Sequence, residues 1–223
     1  LWTTERADRL PRPLTGDEMA HTPYVVWSTW PDWSSLALAV TSPFEGAAKL
    51  TDALRDSVER ITEDMPLDFA RAEAVAEFVR ETTRAVHYDE SFWRLRPRPA
   101  GRTWETAYGH RLDRAALAAA LFRGAGLDAE PAFVTRGRWP LDADVPALSW
   151  FDGLSLFVSG DGQGAWFDPE SGRLRHGNTG EAGHTVWFAV EDRSPQVLRG
   201  DDARISYYRL SMTLEPDGED GWS

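Results

Sequence analysis

The 223-residue chain holds 36 acidic and 24 basic residues, a formal net charge of −12, with 42% hydrophobic and 27% charged residues, the composition of a globular domain with a sizeable core. The acid excess disfavours nucleic acid and anionic lipid as partners, and no apolar run approaches bilayer-spanning length, so direct membrane insertion is not expected. The count of zero cysteines excludes disulfides, thiolate metal sites and a thiol nucleophile within this chain.

The chain starts at Leu1 rather than Met and shows no signal-peptide pattern, which suggests a piece of a longer polypeptide. Residues 1–43 contain Pro11, Pro13, Pro23, Pro31 and Pro43, a spacing that predicts an extended arm or linker. Within it, the apolar run from Pro23 to Trp33 is expected to dock on the main body. A helix is predicted from Ser42 to about Met65, capped by Thr41 or Ser42, with Leu50, Leu54, Val58 and Ile61 on one face and Pro66 beyond its end. A second amphipathic helix follows from Leu67, with Phe69, Ala72, Val75, Ala76, Val79 and Val86 as its apolar stripe. The segment Arg94–Thr103 reads as a basic loop broken by proline. Next, Ala115 to Phe122 is apolar at every position, so this helix has no side for water and belongs at the centre of a fold. Gly124 and Gly126 stop it.

Beyond Gly126 the period changes to that of strands: Ala129–Thr135, Gly153–Ser159, Gly164–Glu170, Thr185–Glu191 and Ala203–Pro216. Arg136–Trp150 is a long loop. Helices followed by strands predict an α+β domain with helices packed on an antiparallel β-sheet. Residues 44–200 form its core, and residues 201–223 form a terminal strand that opens a further β module.

Two stretches carry a resemblance. One is YGHRLDRAALAAALFRGAGLDAEPAFV, and the other is SWFDGLSLFVSGDGQGAWFDPESG. Together, from about Trp27 to about Val190, they resemble the bacterial transglutaminase-like domain, a relative of the papain-like cysteine proteases. Gly109, Asp113, Arg114, Ala115, Gly126, Leu127 and Ala129 match in the first stretch, and Phe151, Asp152, Asp168 and Pro169 in the second. The resemblance implies that the catalytic Cys position falls on Arg111 and the His position on Gly153, with the third member retained as Asp168. A guanidinium is always charged and cannot attack an acyl carbon, and glycine has no side chain to move a proton. No catalytic residue is therefore expected. At a helix N-terminus Arg111 is opposed by the helix dipole and needs an anionic partner, for which Asp168 is the candidate. Asp113 in the first helical turn is favourable to that dipole and is expected to meet Arg114 or a loop amide.

The histidines (His21, His87, His110, His176 and His184) make no metal-binding pair at helical spacing, and no metal site or cofactor is expected. The acidic run Asp142–Asp152 lacks a calcium-loop pattern. Ser149 and Ser155 lie near Gly153 with no base evident in the sequence. What the resemblance implies is a degenerate, non-catalytic domain that binds a peptide or protein segment, or other domains of its own polypeptide, in a multidomain bacterial protein. Trp104, Tyr108, His110, Trp150 and Phe151 would line the groove. It further implies an extracytoplasmic setting, in the periplasm or cell envelope. Two alternatives remain: an active enzyme whose nucleophile comes from outside this chain, and a carbohydrate-binding module built on the 11 tryptophans.

Overall fold

The structure is a computed structural model and describes residues 27–87, 96–135, 144–160, 163–177, 181, 183–190 and 193–198. The terminal strand expected over Ala203–Pro216 and the arm before residue 27 lie outside the described residues.

Among the described residues, five α-helices pack on a six-stranded sheet. The helices are α1 (Trp33–Ala47), α2 (Asp52–Thr62), α3 (Asp68–Thr82), α4 (Ala100–Thr106) and α5 (Arg111–Gly124). Two short strands, β1 (Arg84–Ala85) and β2 (Tyr108–Gly109), pair in parallel beside them. The main sheet comprises β3 (Asp128–Thr135), β4 (Gly153–Gly160), β5 (Gln163–Asp168), β6 (Arg173–His176), β7 (Thr185–Phe188) and β8 (Gln196–Val197). Their order is β6-β5-β4-β3-β7-β8 and every pairing is antiparallel. The expected α+β class is thus observed.

Helix α5 is the hub. Every residue from Arg111 to Phe122 is buried, as the unbroken apolar run requires. One side meets α2, α3 and α4 and the other meets β3 and β4. Phe122 sets its ring edge-on to Phe167 of β5 at 5.4 Å. The helix stops as its glycines predict: Gly126 takes φ +82°, its N–H reaches the Arg123 carbonyl at 3.0 Å, and the Leu127 N–H reaches the Phe122 carbonyl at 3.0 Å. A smaller apolar cluster, Ala132, Val134, Trp166, Val186 and Phe188, covers the opposite sheet face.

The N-terminal side departs from the sequence expectation. An arm extended through Pro43 is replaced, from Trp33 onward, by α1, which contains Pro43. Trp33, Leu36, Ala37, Val40, Phe44 and Ala47 bury one stripe, and that burial outweighs the cost of an interior proline. Asp32 caps it by accepting from the Ser35 N–H at 2.7 Å. The single helix expected from Ser42 is two helices, because the chain turns at Ala48–Thr51 and Thr51 caps α2. Ser28 does dock the preceding segment, donating to the Pro146 carbonyl. The loop expected over Arg94–Thr103 is helical from Ala100, and β6 forms from a charged segment without a strand pattern. Phe69, expected in the buried stripe of α3, is 52% exposed. No described helix is long and apolar enough to cross a membrane.

Gly126 has open space where a Cβ would be, so Gly126→Ala isolates the conformational cost of a left-handed residue. It is expected to lower unfolding free energy by roughly 1 kcal/mol, read as a lower urea midpoint at unchanged slope.

Candidate functional site

The site begins where β2 turns into α5. Gly109 is fixed by close approach: a Cβ there would lie 2.9 Å from both the Asp113 Cβ and the Thr103 Cγ2. His110 is the N-cap, its Nδ1 accepting from the Leu112 N–H at 3.5 Å, and the Asp113 carboxylate accepts in return from the His110 N–H at 3.2 Å. Asp113 also takes the Arg98 N–H at 2.8 Å and the Arg98 Nε at 2.9 Å. Its partners are therefore loop amides and Arg98 rather than Arg114. Burial holds the His110 imidazole below its ordinary pKa of 6.5, and the neighbouring Arg111 charge pushes the same way, against Asp113 and Glu170.

The positions singled out by sequence converge at one end of the sheet. Arg111 opens α5, Gly153 opens β4 and Asp168 closes β5. Arg111 is 8% exposed. Its Nη1 donates to the Asp152 carbonyl at 2.6 Å and meets the Glu170 carboxylate at 3.4 Å. Among the described residues the anionic partner is Glu170, in place of the expected Asp168. The reason lies in the turn between β5 and β6. Asp168 is engaged locally, accepting from the Glu170 N–H at 2.9 Å and from the Ser171 hydroxyl at 2.9 Å. Gly172, at φ +70°, closes that turn with its N–H on the Asp168 carbonyl at 2.8 Å.

The turn so shaped is gripped by Arg114, expected from the sequence as a partner for Asp113. Arg114 is 2% exposed. Its Nη1 donates to the Pro169 carbonyl and, at 2.6 Å, to the Glu170 carbonyl, and its Nε reaches the Thr83 hydroxyl at 3.2 Å. Burial lowers its pKa and the Asp168 charge offsets part of that, yet a guanidinium stays protonated. Arginines one turn apart on α5 thereby fasten the end of β5 to the helix N-terminus. Among the described residues, the two guanidiniums are met by backbone carbonyls, the Thr83 hydroxyl and the Glu170 carboxylate.

The expected groove residues divide. Trp150 and Phe151 are 2% and 7% exposed and do not line a groove. The Trp150 indole donates to the Val145 carbonyl at 2.8 Å, and Phe151 stacks on Trp187 at 5.8 Å, in a cluster with Trp33 and Phe133. They are core because the strand-end geometry at Phe151 turns that side chain toward the helices. Trp104 is half-buried against the same core. Tyr108 is exposed, with the Arg98 guanidinium 4.9 Å from its ring centroid, and His110 is half-buried. Ser149 is exposed. Ser155 is fully buried and donates to Glu181 at 2.9 Å, while the other Glu181 oxygen meets His184 Nδ1 at 3.0 Å. A carboxylate thus sits between the serine and the imidazole, the wrong order for activating a nucleophile. Among the described residues no group of three or more His, Asp or Glu is placed to hold a metal ion.

No protein-family model matches the chain, and no curated protein does. A solved structure does match: a protein from Parabacteroides distasonis, described as a "putative protease", superposes with a TM-score of 0.63 at 15% identity. The match covers 76% of this chain but 32% of that one, so this chain spans about a third of its length. At that identity the likeness is one of fold. The class defined here is an α+β domain with helices packed on an antiparallel sheet, a fold it shares with part of that protein.

Arg114→Met leaves the carbonyls of Pro169 and Glu170 without their buried donor. It should cost roughly 3 kcal/mol, measured as a lower denaturation midpoint. His110 makes a second test. Its folded pKa lies below the unfolded one, so as pH falls the unfolded chain is protonated first, and stability is lost below the ordinary value of 6.5 until the folded pKa is passed. Asn caps without titrating, so His110→Asn should flatten the decline of Tm between about pH 7 and about pH 5.

Proposed function

We propose that this chain is a non-catalytic transglutaminase-like domain. In this reading it serves as a scaffold or protein-binding module of a larger, extracytoplasmic bacterial protein. The observation that carries the reading is Arg111. At the position where the resemblance calls for a thiol, a buried guanidinium bridges the Asp152 carbonyl and the Glu170 carboxylate. Asp168 is spent on the β5–β6 turn rather than on orienting a base.

Three further facts support it. The chain contains no cysteine at all. The fold is shared with a protein described as a protease, which supplies the frame for such a domain. Trp33, Trp150, Trp166 and Trp187 are buried, which favours packing over sugar stacking. With Trp150 and Phe151 in the core, a partner segment would meet the rim made by Tyr108, His110 and Trp104. The partner is then a polypeptide held at the surface, with other domains of the same chain as the first candidates.

The purified protein, offered peptide, ester and glutamine-plus-amine substrates at neutral pH, should show no turnover above the uncatalysed rate. Turnover that disappears in Asp168→Ala would overturn the proposal, since it would restore a catalytic duty to that carboxylate.

A further inference from the structure

A pocket of about 140 Å³ lies at the opposite end of the sheet from Arg111, between the start of α3 and the hairpin joining β4 and β5. The two ends are separated by the length of β4, roughly 23 Å at the usual rise per residue. Its walls are apolar, with Leu67, Phe69, Leu127 and Val158 among them. The volume is close to that of an engineered apolar cavity of about 150 Å³ that takes benzene, so it fits one ring or one branched alkyl group. Leu67 and Phe69, at its mouth, are 56% and 52% exposed, whereas Ala72, Val75, Ala76 and Val79 of the same helix are buried.

One wall is charged. The Asp68 side chain lines the pocket and is 15% accessible. One of its oxygens accepts from Arg71, and the other makes no hydrogen bond among the described residues. That second oxygen rests against the bare backbone of Gly160: a Cβ there would lie 2.3 Å from it and 2.8 Å from the Leu127 Cδ2. Glycine at the end of β4 is what lets Asp68 and Leu127 come together at this spot. At the rim, His176 meets the edge of the Phe69 ring at 6.2 Å and is held by Glu73 at 2.7 Å. A carboxylate oxygen in an apolar wall is best matched by a charged donor, and it repels an acid.

We propose that this pocket is a binding site for a small apolar amine, with the ring or branched alkyl group in the cavity and the ammonium on the free oxygen of Asp68. The site is independent of the function proposed above, and it needs nothing from the Arg111 end.

Benzylamine, benzyl alcohol and benzoate, titrated into the ¹⁵N-labelled protein, provide the test. Benzylamine should shift the amides of Asp68, Phe69, Ser159 and Gly164 saturably. Benzyl alcohol should bind the same amides about tenfold more weakly, as loss of a charge-assisted hydrogen bond predicts, and benzoate should leave them unmoved. Asp68→Asn should reduce benzylamine to the level of the alcohol without changing the alcohol's own affinity. Phe69→Ala, a change at an exposed side chain, should weaken amine and alcohol alike. Absence of saturable shifts at these amides, equal response to amine and acid, or unchanged benzylamine affinity in either variant would refute the proposal.

Discussion

The structure hangs on a helix whose first turn carries buried positive charge. Arg111 and Arg114 enter the positive end of the α5 dipole, where a cation is opposed by the exposed N–H groups. They are held there because the β5–β6 turn brings its carbonyls, and the Glu170 carboxylate, to meet them. Asp113 and the His110 cap satisfy the helix amides on the remaining side, with Arg98 completing the charge balance. Such a set is costly to bury and costlier to break: each member left alone would be an unpaired charge or an orphaned carbonyl in the interior. It therefore fixes where α5 begins, how β5 closes and where β4 starts.

The same interaction ties the N-terminal end of α5 to the sheet: the two guanidiniums there meet the Asp152, Pro169 and Glu170 carbonyls and the Glu170 carboxylate. Asp168 belongs to the same turn. It stands at the end of β5, but its oxygens build the turn that Arg114 grips. A carboxylate engaged by a local amide and hydroxyl gives conformational order to its own loop rather than direction to a distant imidazole.

The central helix was legible because an apolar run without a polar face admits one environment, and its glycine stop was legible because Gly126 must adopt φ +82°. The α+β class followed from the change of period after Gly126. Helix α1 was not legible. Pro43 speaks against a helix locally, and only the burial of Trp33, Leu36, Val40 and Phe44 overrides it. The carbonyls that Arg114 grips were not legible for a related reason: an arginine in an apolar helix gives no local sign of which backbone it will bind.

The sequence by itself determined that this chain has no thiol chemistry, that one helix is wholly interior, and that strands follow helices. Those properties depend on composition and on periodicity within a single element. The tertiary structure alone decided that Phe151 and Trp150 face the core, that Arg111 pairs with Glu170 instead of Asp168, and that Leu67 and Phe69 are left at the mouth of a pocket. Each of those outcomes turns on distances between residues far apart in the chain. Such distances are set by how elements pack, and no pattern within one segment encodes them.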